Sequence, residues 1–438
     1  MPLSLRSTVS SELEIIADID SKPQYYPWLI IALCSAFLFY KFILQVSPSI
    51  MTSELMLTFH IDGLGLGNLA AVYFTTYFII QLFVGPLLDR FSPKYLTSIA
   101  ILTCAIGAFL FSCANYLLTA EIARGLMGAG AAFATVSYMK MSTLWFRSNQ
   151  VAFIDGLLAT AAMTGALCSQ VPLAMLVNRT DWRSTLLYCS ILGFILAFLF
   201  FFIVKDKKNT TNLTNSFLPK IRLTEIFRLF KIRQNWLLTF YSGLVYTPIS
   251  VIGGLWGNPF FEVTYHLTKA EAASYTSLVF LGLAIGGPCF GFLADRVNDR
   301  IKVMIYGTII AFITLTSALY ITALPLWLFG IILFIFGFGV GSFMSCYAVG
   351  KSLNNIYLAG TVVALINTGD ALFSSFSEPL VGKILDIFWD GKIINGIHSF
   401  SPCDYRIALS ILPIYLILAI ICLLQLKKQL HYNKITAN

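Results

Sequence analysis

"GPLLDR" at Gly85–Arg90 and "GFLADR" at Gly291–Arg296 are nearly the same six residues, and their aspartates, Asp89 and Asp295, stand 206 positions apart in a chain of 438. Each copy closes a long apolar run, and the runs decide the fold class. Stretches near 20 apolar residues, the length a helix needs to cross the hydrocarbon core of a bilayer, recur through almost the whole chain. Hydrophobic residues make up 58% of it and charged residues only 11%, against about 25% charged in a soluble globular protein. Too little polar surface is left to be solvated by water. The sequence specifies an all-α membrane protein.

Twelve spans are expected, at 27–48, 64–84, 96–113, 117–140, 152–176, 184–204, 235–257, 272–291, 303–320, 325–348, 358–384 and 407–425. The one long polar interruption, 205–234, separates a six-helix unit at 27–204 from another at 235–425, with tails at 1–26 and 426–438. The formal net charge is +8. With the N-terminus on the cytoplasmic side, 20 of the 29 Lys and Arg fall on that side, 5 on the other and 4 within spans, and eight of the 20 lie in the connector. This bias is the positive-inside rule, so the basic excess reports topology, with both termini cytoplasmic, and not a nucleic-acid partner. It leaves anionic lipid headgroups as a surface the connector can touch. Trp28, Trp145, Trp182, Trp236, Trp256, Trp327 and Trp389 all fall near proposed span ends, where an indole has its ring in apolar surroundings and its N–H in water.

The nine cysteines sit mostly within spans and read as packing residues without a disulfide framework. The first 25 residues lack a basic region followed by an apolar one, so no cleaved leader is expected. "GLGLGN" and "GFGVGS" lack the Gly-Lys-Ser/Thr ending that cradles a nucleotide phosphate, which argues against an ATP-driven pump. No convergent Ser/His/Asp or metal-ligand cluster is found at the span ends, so neither an enzyme nor a cofactor is expected. A second echo supports an internal repeat: Gly125, Gly128 and Gly130 in the fourth span answer to Gly337, Gly339 and Gly341 in the tenth. Transporters are commonly built from two such repeats around a site near the midplane.

"GPLLDRFSPK" and "GFLADRVNDRIK" resemble the Gly-x-Leu-x-Asp-Arg loop of the major facilitator superfamily. "RGLMGAG" at Arg124–Gly130 is similar to that family's fourth-helix Arg-x-x-x-Gly-x-Gly pattern, and "WF" at Trp145–Phe146 and "DWR" at Asp181–Arg183 fall where the family often has such residues. The resemblance runs from about Trp28 to Leu424. It implies two pseudo-symmetric six-helix bundles, alternating access, a monomer, and a small-molecule substrate moved with protons. It also gives the charged turns a gating role: Gly85, Asp89, Arg90, Gly291, Asp295 and Arg296 would hold the cytoplasmic mouth shut in the outward-open state. A carboxylate there would accept hydrogen bonds from the partial positive end of a helix, and an arginine would supply a rigid charged fork.

The ionisable residues singled out inside spans are Lys41, Glu121, Arg124, Asp370 and Glu378, with Lys140 and Lys383 close enough to span ends to snorkel. A charge at mid-depth costs roughly 2.5–3.5 kcal/mol on insertion scales, so such residues mark a polar cavity, an internal pair or a proton path. Glu121 and Arg124, at i and i+3, share a helix face and are spaced to pair, and Glu121 is also a candidate for a substrate amine or a proton. In the family the first and fourth helices line the cavity, which assigns Lys41 and Arg124 to a substrate anion, with Glu121 and Tyr241 beside them. Asp370 and Glu378 are the candidates for carrying protons. The remaining tyrosines considered for the cavity are Tyr40, Tyr73, Tyr77, Tyr246 and Tyr347. No histidine lies in a span.

The reading is a secondary transporter of a small polar organic solute in a bacterial cell membrane. The Glu-x-x-Arg of the fourth helix looks like that of the lysosomal dipeptide transporter branch, and "LWGNPFF" and "INTGDALFSSFSEPLVGKILDIFWDG" are similar to phagosomal amino-acid transporters of intracellular bacteria. These favour amino acids or small peptides. Organic anions or sugar acids, drug efflux, and a non-transporting nutrient sensor are the alternatives.

Overall fold

A computed structural model describes residues 25–146, 148–205, 229–297, 299–321, 324–354, 358–394 and 396–436. Most of the connector and the Asp89 side chain lie outside what it describes. The N-terminal half begins with α1 (Tyr26–Val46), which continues as a 3-10 turn at Ser47–Ile50, and a short α2 (Thr52–Phe59). There follow α3 (Gly63–Arg90), α4 (Pro93–Ser112), a broken fourth span of α5 (Leu117–Ala131) and α6 (Phe133–Trp145), a broken fifth of α7 (Ser148–Cys168) and α8 (Val171–Arg179), and α9 (Trp182–Ile203). In the C-terminal half α10 (Arg233–Val251) passes through a π segment, Ile252–Trp256, into α11 (Gly257–Tyr265). Then come α12 (Lys269–Val297), α13 (Arg300–Tyr320), a tenth span of α14 (Leu326–Val340) and α15 (Ser345–Leu353), α16 (Ala359–Phe388), and a last span of α17 (Pro402–Leu409) and α18 (Ile411–Thr436). A two-stranded antiparallel hairpin, β1 (Ile393–Ile394) and β2 (Ile397–His398), joins α16 to α17.

These are the twelve transmembrane helices of two pseudo-symmetric bundles. Ten of the segments are long and apolar enough to cross a membrane by length and composition. The other two are the fourth span and α16, which hold Glu121, Arg124, Asp370 and Glu378. The last helix runs past the expected end at 425 to Thr436.

Local chemistry sets the helix ends. Asp62 caps α3 by accepting from the Gly65 amide at 2.8 Å, Asp299 caps α13 through the Lys302 amide at 3.0 Å, and Ser401 and Asp404 form a reciprocal box at the start of α17. Asp181 accepts the Ser184 amide at the start of α9, and the bonds from that amide and the Ser184 hydroxyl hold its carboxyl below the usual carboxylate range. Arg183 beside it donates to the carbonyls of Ser112 and Ala114, tying α9 to the end of α4.

The internal repeat is visible in the backbone. The only non-glycine residues with positive φ among those described are His60 (53°) and His266 (55°). Each ends the short helix after the first span of its half, and they stand 206 positions apart, the spacing of Asp89 and Asp295. The glycines repeat in function too. A Cβ on Gly128 would stand 2.2 Å from the Tyr73 carbonyl oxygen in α3, and one on Gly130 2.4 Å from that of Ala100 in α4. In the other half a Cβ on Gly337 would stand 1.9 Å from the Val279 carbonyl oxygen in α12, and one on Gly339 2.8 Å from that of Gly307 in α13. In both halves the glycine-rich span lies against two neighbours at backbone distance. Gly337→Leu is therefore expected to force α14 off α12 and cost about 1–3 kcal/mol or more of fold stability, seen as a lower melting temperature of the purified protein in detergent. An unchanged melt would mean that the seam is loose.

Trp28 and Trp327 are exposed at span ends as expected, at 47% and 67%. Trp256 is not. It is 1% exposed and donates to the Glu378 carbonyl at 3.3 Å, because the chain continues through the π segment and α11 to Tyr265 instead of ending at 257.

Candidate functional site

The two halves meet chiefly along α3 against α16, and along the fifth span against α12. Call the end at which α9 runs into the connector the basic face and the other end the far face. At the far face the halves are locked together. Asp386 at the end of α16 accepts the amides of Gly63 and Leu64 at 2.9 and 2.7 Å, so a carboxylate of one half sits on the positive end of a helix of the other. Lys269 pairs with Glu54 across the same mouth. Gln170, in the break between α7 and α8, donates to the Gly253 carbonyl at 3.0 Å, and Asn258 donates to the Gln170 side-chain oxygen at 3.0 Å and to Ser49 at 3.3 Å. Ser49, Gln170, Asn258 and Thr276, which donates to Asn258, are each at most 1% exposed. Close approach completes the seal, since a Cβ on Gly67 would stand 2.5 Å from the Glu378 carbonyl and one on Gly382 2.1 Å from that of Gly63.

The basic face differs. Cβ atoms built on Gly85, Gly291 or Gly360 would meet nothing within 4 Å. Arg90 and Arg296 are exposed, and Asp295 accepts from Arg300 of its own half at 2.9 Å. Among the described side chains of the two turns, Arg90, Asp295 and Arg296 bond to no residue of the opposite bundle. The described bonds between the halves lie at the far mouth and at mid-depth.

Between the two, at mid-depth, a chain of polar contacts crosses from one half to the other. Lys41 on α1 is 6% exposed and donates to the Tyr77 hydroxyl at 3.4 Å, with its ammonium 4.6 Å from the Tyr77 ring centre and 4.7 Å from that of Phe42. Asn367 on α16 donates to the same Tyr77 oxygen at 3.4 Å. The Tyr347 hydroxyl reaches the Asn367 side-chain oxygen at 3.4 Å and Asp370 at 3.3 Å, and Ser242 donates to the other Asp370 oxygen at 2.6 Å. Lys41 and Asp370 thus end one network, an ammonium from the N-terminal half and a carboxyl from the C-terminal half, and they act on each other through space.

Toward the far face lies a second pair. Arg124 is 1% exposed, donates one nitrogen to the Leu44 carbonyl at 2.7 Å and lies 4.8 Å from the Tyr73 ring centre. Its Nε and second terminal nitrogen have no partner. Glu378, eight residues along α16 from Asp370, is fully buried, and neither carboxyl oxygen has a partner. The two interact through space without forming an ion pair. A buried charge left uncompensated costs several kcal/mol, so this gap is poised to take a proton, a water or a ligand group.

The structure brings together Lys41, Arg124, Asp370 and Glu378 but leaves two expected members out. Arg124 does not pair with Glu121; its guanidinium turns to the Leu44 carbonyl instead, and Glu121 stays half-exposed near the far end of α5. Tyr241 is fully buried within the C-terminal half, 3.3 Å from the Thr308 hydroxyl of α13, and faces away from the network. Asn367, Ser242 and the amides Gln170 and Asn258 are absent from the expectations, because uncharged polar residues in an apolar run give no distinguishing signal. A groove of about 530 Å³ between α12 and α14, lined by Tyr275, Leu278, Trp327 and Phe334 among others, opens on the outer flank and carries no charge.

The family model described as Major Facilitator Superfamily matches residues 29–378, most of both bundles. The chain belongs to the Major Facilitator Superfamily. This facilitator is 24% identical to the uncharacterized transporter YybO of Bacillus subtilis over 66% of its length and 70% of the relative's. It is 23% identical to a probable L-galactonate transporter of Escherichia coli, over 52% and 53%, and 21% identical to a lysosomal dipeptide transporter of Danio rerio, over 58% and 59%. The curated relatives are thus matched over between 53% and 70% of their own lengths. Among solved structures the facilitator superposes with a TM-score of 0.77 on a bacterial homologue of the human lysosomal transporter Spinster in an inward-facing, unoccupied conformation, at 15% identity over 93% of this chain and 98% of that one. On the nucleoside transporter NupG the score is 0.67 at 14% identity, over 91% and 99%.

Proposed function

We propose that this facilitator is a proton-coupled secondary transporter of a small zwitterionic solute, an amino acid or short peptide, working by alternating access. The observation that carries the reading is the polar chain from Lys41 to Asp370, which spans the two halves at mid-depth. Lys41 spends one N–H on Tyr77 and keeps others for a substrate carboxylate, and Arg124 offers two more donors nearby. Asp370, steadied by Ser242 and Tyr347, is the pole for an ammonium or a proton, and Glu378 is a second proton position. A proton on either carboxyl would relieve an uncompensated buried charge and change the attraction between the halves. The positive-inside bias supports a cytoplasmic basic face, and so an inward-facing state in a bacterial cell membrane. A gating role for Asp89, Arg90, Asp295 and Arg296, with Gly85 and Gly291, belongs to the opposite state, when the basic mouth closes.

The test is a melting-temperature screen of purified protein against amino acids, dipeptides and organic acids. A zwitterion is expected to stabilise wild type, and Lys41→Ala to weaken that binding tenfold or more, about the 1.5–3 kcal/mol of a hydrogen bond to a charged group. Full affinity in a well-folded Lys41→Ala protein would remove Lys41 from the site. The presence of both Lys41 and Arg124 in one half, without a salt bridge to either, favours a second reading, an organic-anion transporter. Stabilisation by organic acids alone would establish it.

A further inference from the structure

At the far mouth a buried ring nitrogen has no partner. His398 ends β2, its ring stacked on Trp389 with centres 3.6 Å apart and planes 13° apart, and edge-on to Phe400 at 6.2 Å. That stack holds Nδ1, buried and without a hydrogen bond, 3.5 Å from Oδ1 of Asp386. The same Oδ1 accepts the Gly63 amide, while Oδ2 accepts that of Leu64. One carboxylate therefore has two claimants: the positive end of α3, which belongs to the other half, and an imidazole of its own half. The His398 and Asp386 side chains are 29% and 19% exposed, so protons can reach them from the far side.

We propose that His398 is a proton-binding site, separate from Asp370 and Glu378, whose occupation releases the far mouth. Neutral histidine leaves Asp386 to the Gly63 and Leu64 amides. A second proton on the ring leaves an N–H on Nδ1 whichever nitrogen held the first, and creates a cation that competes for the same oxygen and lies beside the positive end of α3, where a cation is unfavourable. His398 and Asp386 travel together with the C-terminal half, so their ion pair survives opening, whereas the hydrogen bonds donated by the Gly63 and Leu64 amides do not. The proton binds more tightly when the mouth is open, and by linkage acid shifts the molecule toward that state. Of the other charged groups on elements packed around the hairpin, Asp404 is boxed with Ser401, Arg406 donates to the Leu319 carbonyl at 3.0 Å, Glu262 acts on Lys269 and Glu54, and Lys383 and Lys392 are exposed. Glu54 pairs with Lys269, Asp62 caps the Gly65 amide, Asp390 accepts from the Lys392 amide, and His60 ends α2 in its left-handed turn. The inference does not depend on what the central site binds.

The test is a distance measurement across the far face between spin labels at Tyr116→Cys and Ile321→Cys, both exposed in opposite halves, with exposed Cys113, Cys289 and Cys403 changed to serine. Between pH 8 and pH 5.5 the long-distance population of otherwise wild-type protein is expected to rise about fivefold, the lower end of ordinary coupling between sites. His398→Gln and His398→Phe, the second keeping an aromatic ring on Trp389, should show no acid response at an unchanged melting temperature. Asp386→Asn should be open more often at both pH values and equally unresponsive. An acid response that persists in both histidine variants, an acid-induced shortening, or no response in wild type would each overturn the proposal.

Discussion

Uptake driven by a proton gradient is expected to fall about 100-fold or more in Asp370→Asn, while exchange of bound solute at equal pH survives. The variant keeps the shape of the side chain and an oxygen for the Ser242 hydroxyl, which donates at 2.6 Å, so the fold should stand. It loses the negative pole of the network that ends in Lys41 and the capacity to take up a proton. Leaving one member of a buried charged pair unmatched costs about 3–5 kcal/mol, and an equal loss from the coupled step would be roughly two to nearly four powers of ten in rate. The measurement is uptake into proteoliposomes, using the solute that raises the melting temperature of wild type, with outside pH 5.5 against 7.5. Accumulation at the wild-type level in the variant would show that Asp370 neither binds nor couples.

Gly382→Leu should also lower transport strongly, from the opposite cause. Its Cβ would stand 2.1 Å from the Gly63 carbonyl oxygen, a contact that exists only while α3 and α16 touch at the far face. Backbone on both sides cannot yield, so the halves must separate there. The interior of each half is untouched, and the melting temperature is expected to change by no more than a few degrees, unlike that of Gly337→Leu, whose clash lies inside one bundle. The Tyr116–Ile321 label distance should lengthen at every pH, and transport should fall more than tenfold, because a carrier that cannot close one mouth cannot complete its cycle. A short label distance in the variant would mean that the far mouth closes by some other contact.

The fold is legible in the sequence because a membrane imposes a length on every apolar run and a sign on every loop. The paired turns at Gly85–Arg90 and Gly291–Arg296 disclose the repeat, which the backbone repeats at His60 and His266. Charges inside apolar runs disclose Lys41, Arg124, Asp370 and Glu378, since their placement costs too much to be accidental. Partners are harder to read than charges. The i,i+3 spacing offers Glu121 to Arg124, but a backbone carbonyl at Leu44 outcompetes it, a choice set by how α1 crosses α5. Tyr241 cannot be told from Tyr77 or Tyr347 by sequence, because which face of its helix meets the other half depends on the rotation of the helix in the bundle. Asp386 lies just past the expected end of its span and reads as a boundary residue. Only the crossing of α16 over the start of α3 makes it a latch.

The cluster of Ser49, Gln170, Asn258 and Thr276 has a consequence for leakage. Its closing groups are amides and hydroxyls, already bonded to one another and carrying no net charge. A stray sodium or chloride ion arriving there would have to shed its water shell and find every ligand engaged, so the stopper refuses both signs alike and gives no foothold for conduction. A carrier has to be insulated in this way on the side it has just closed.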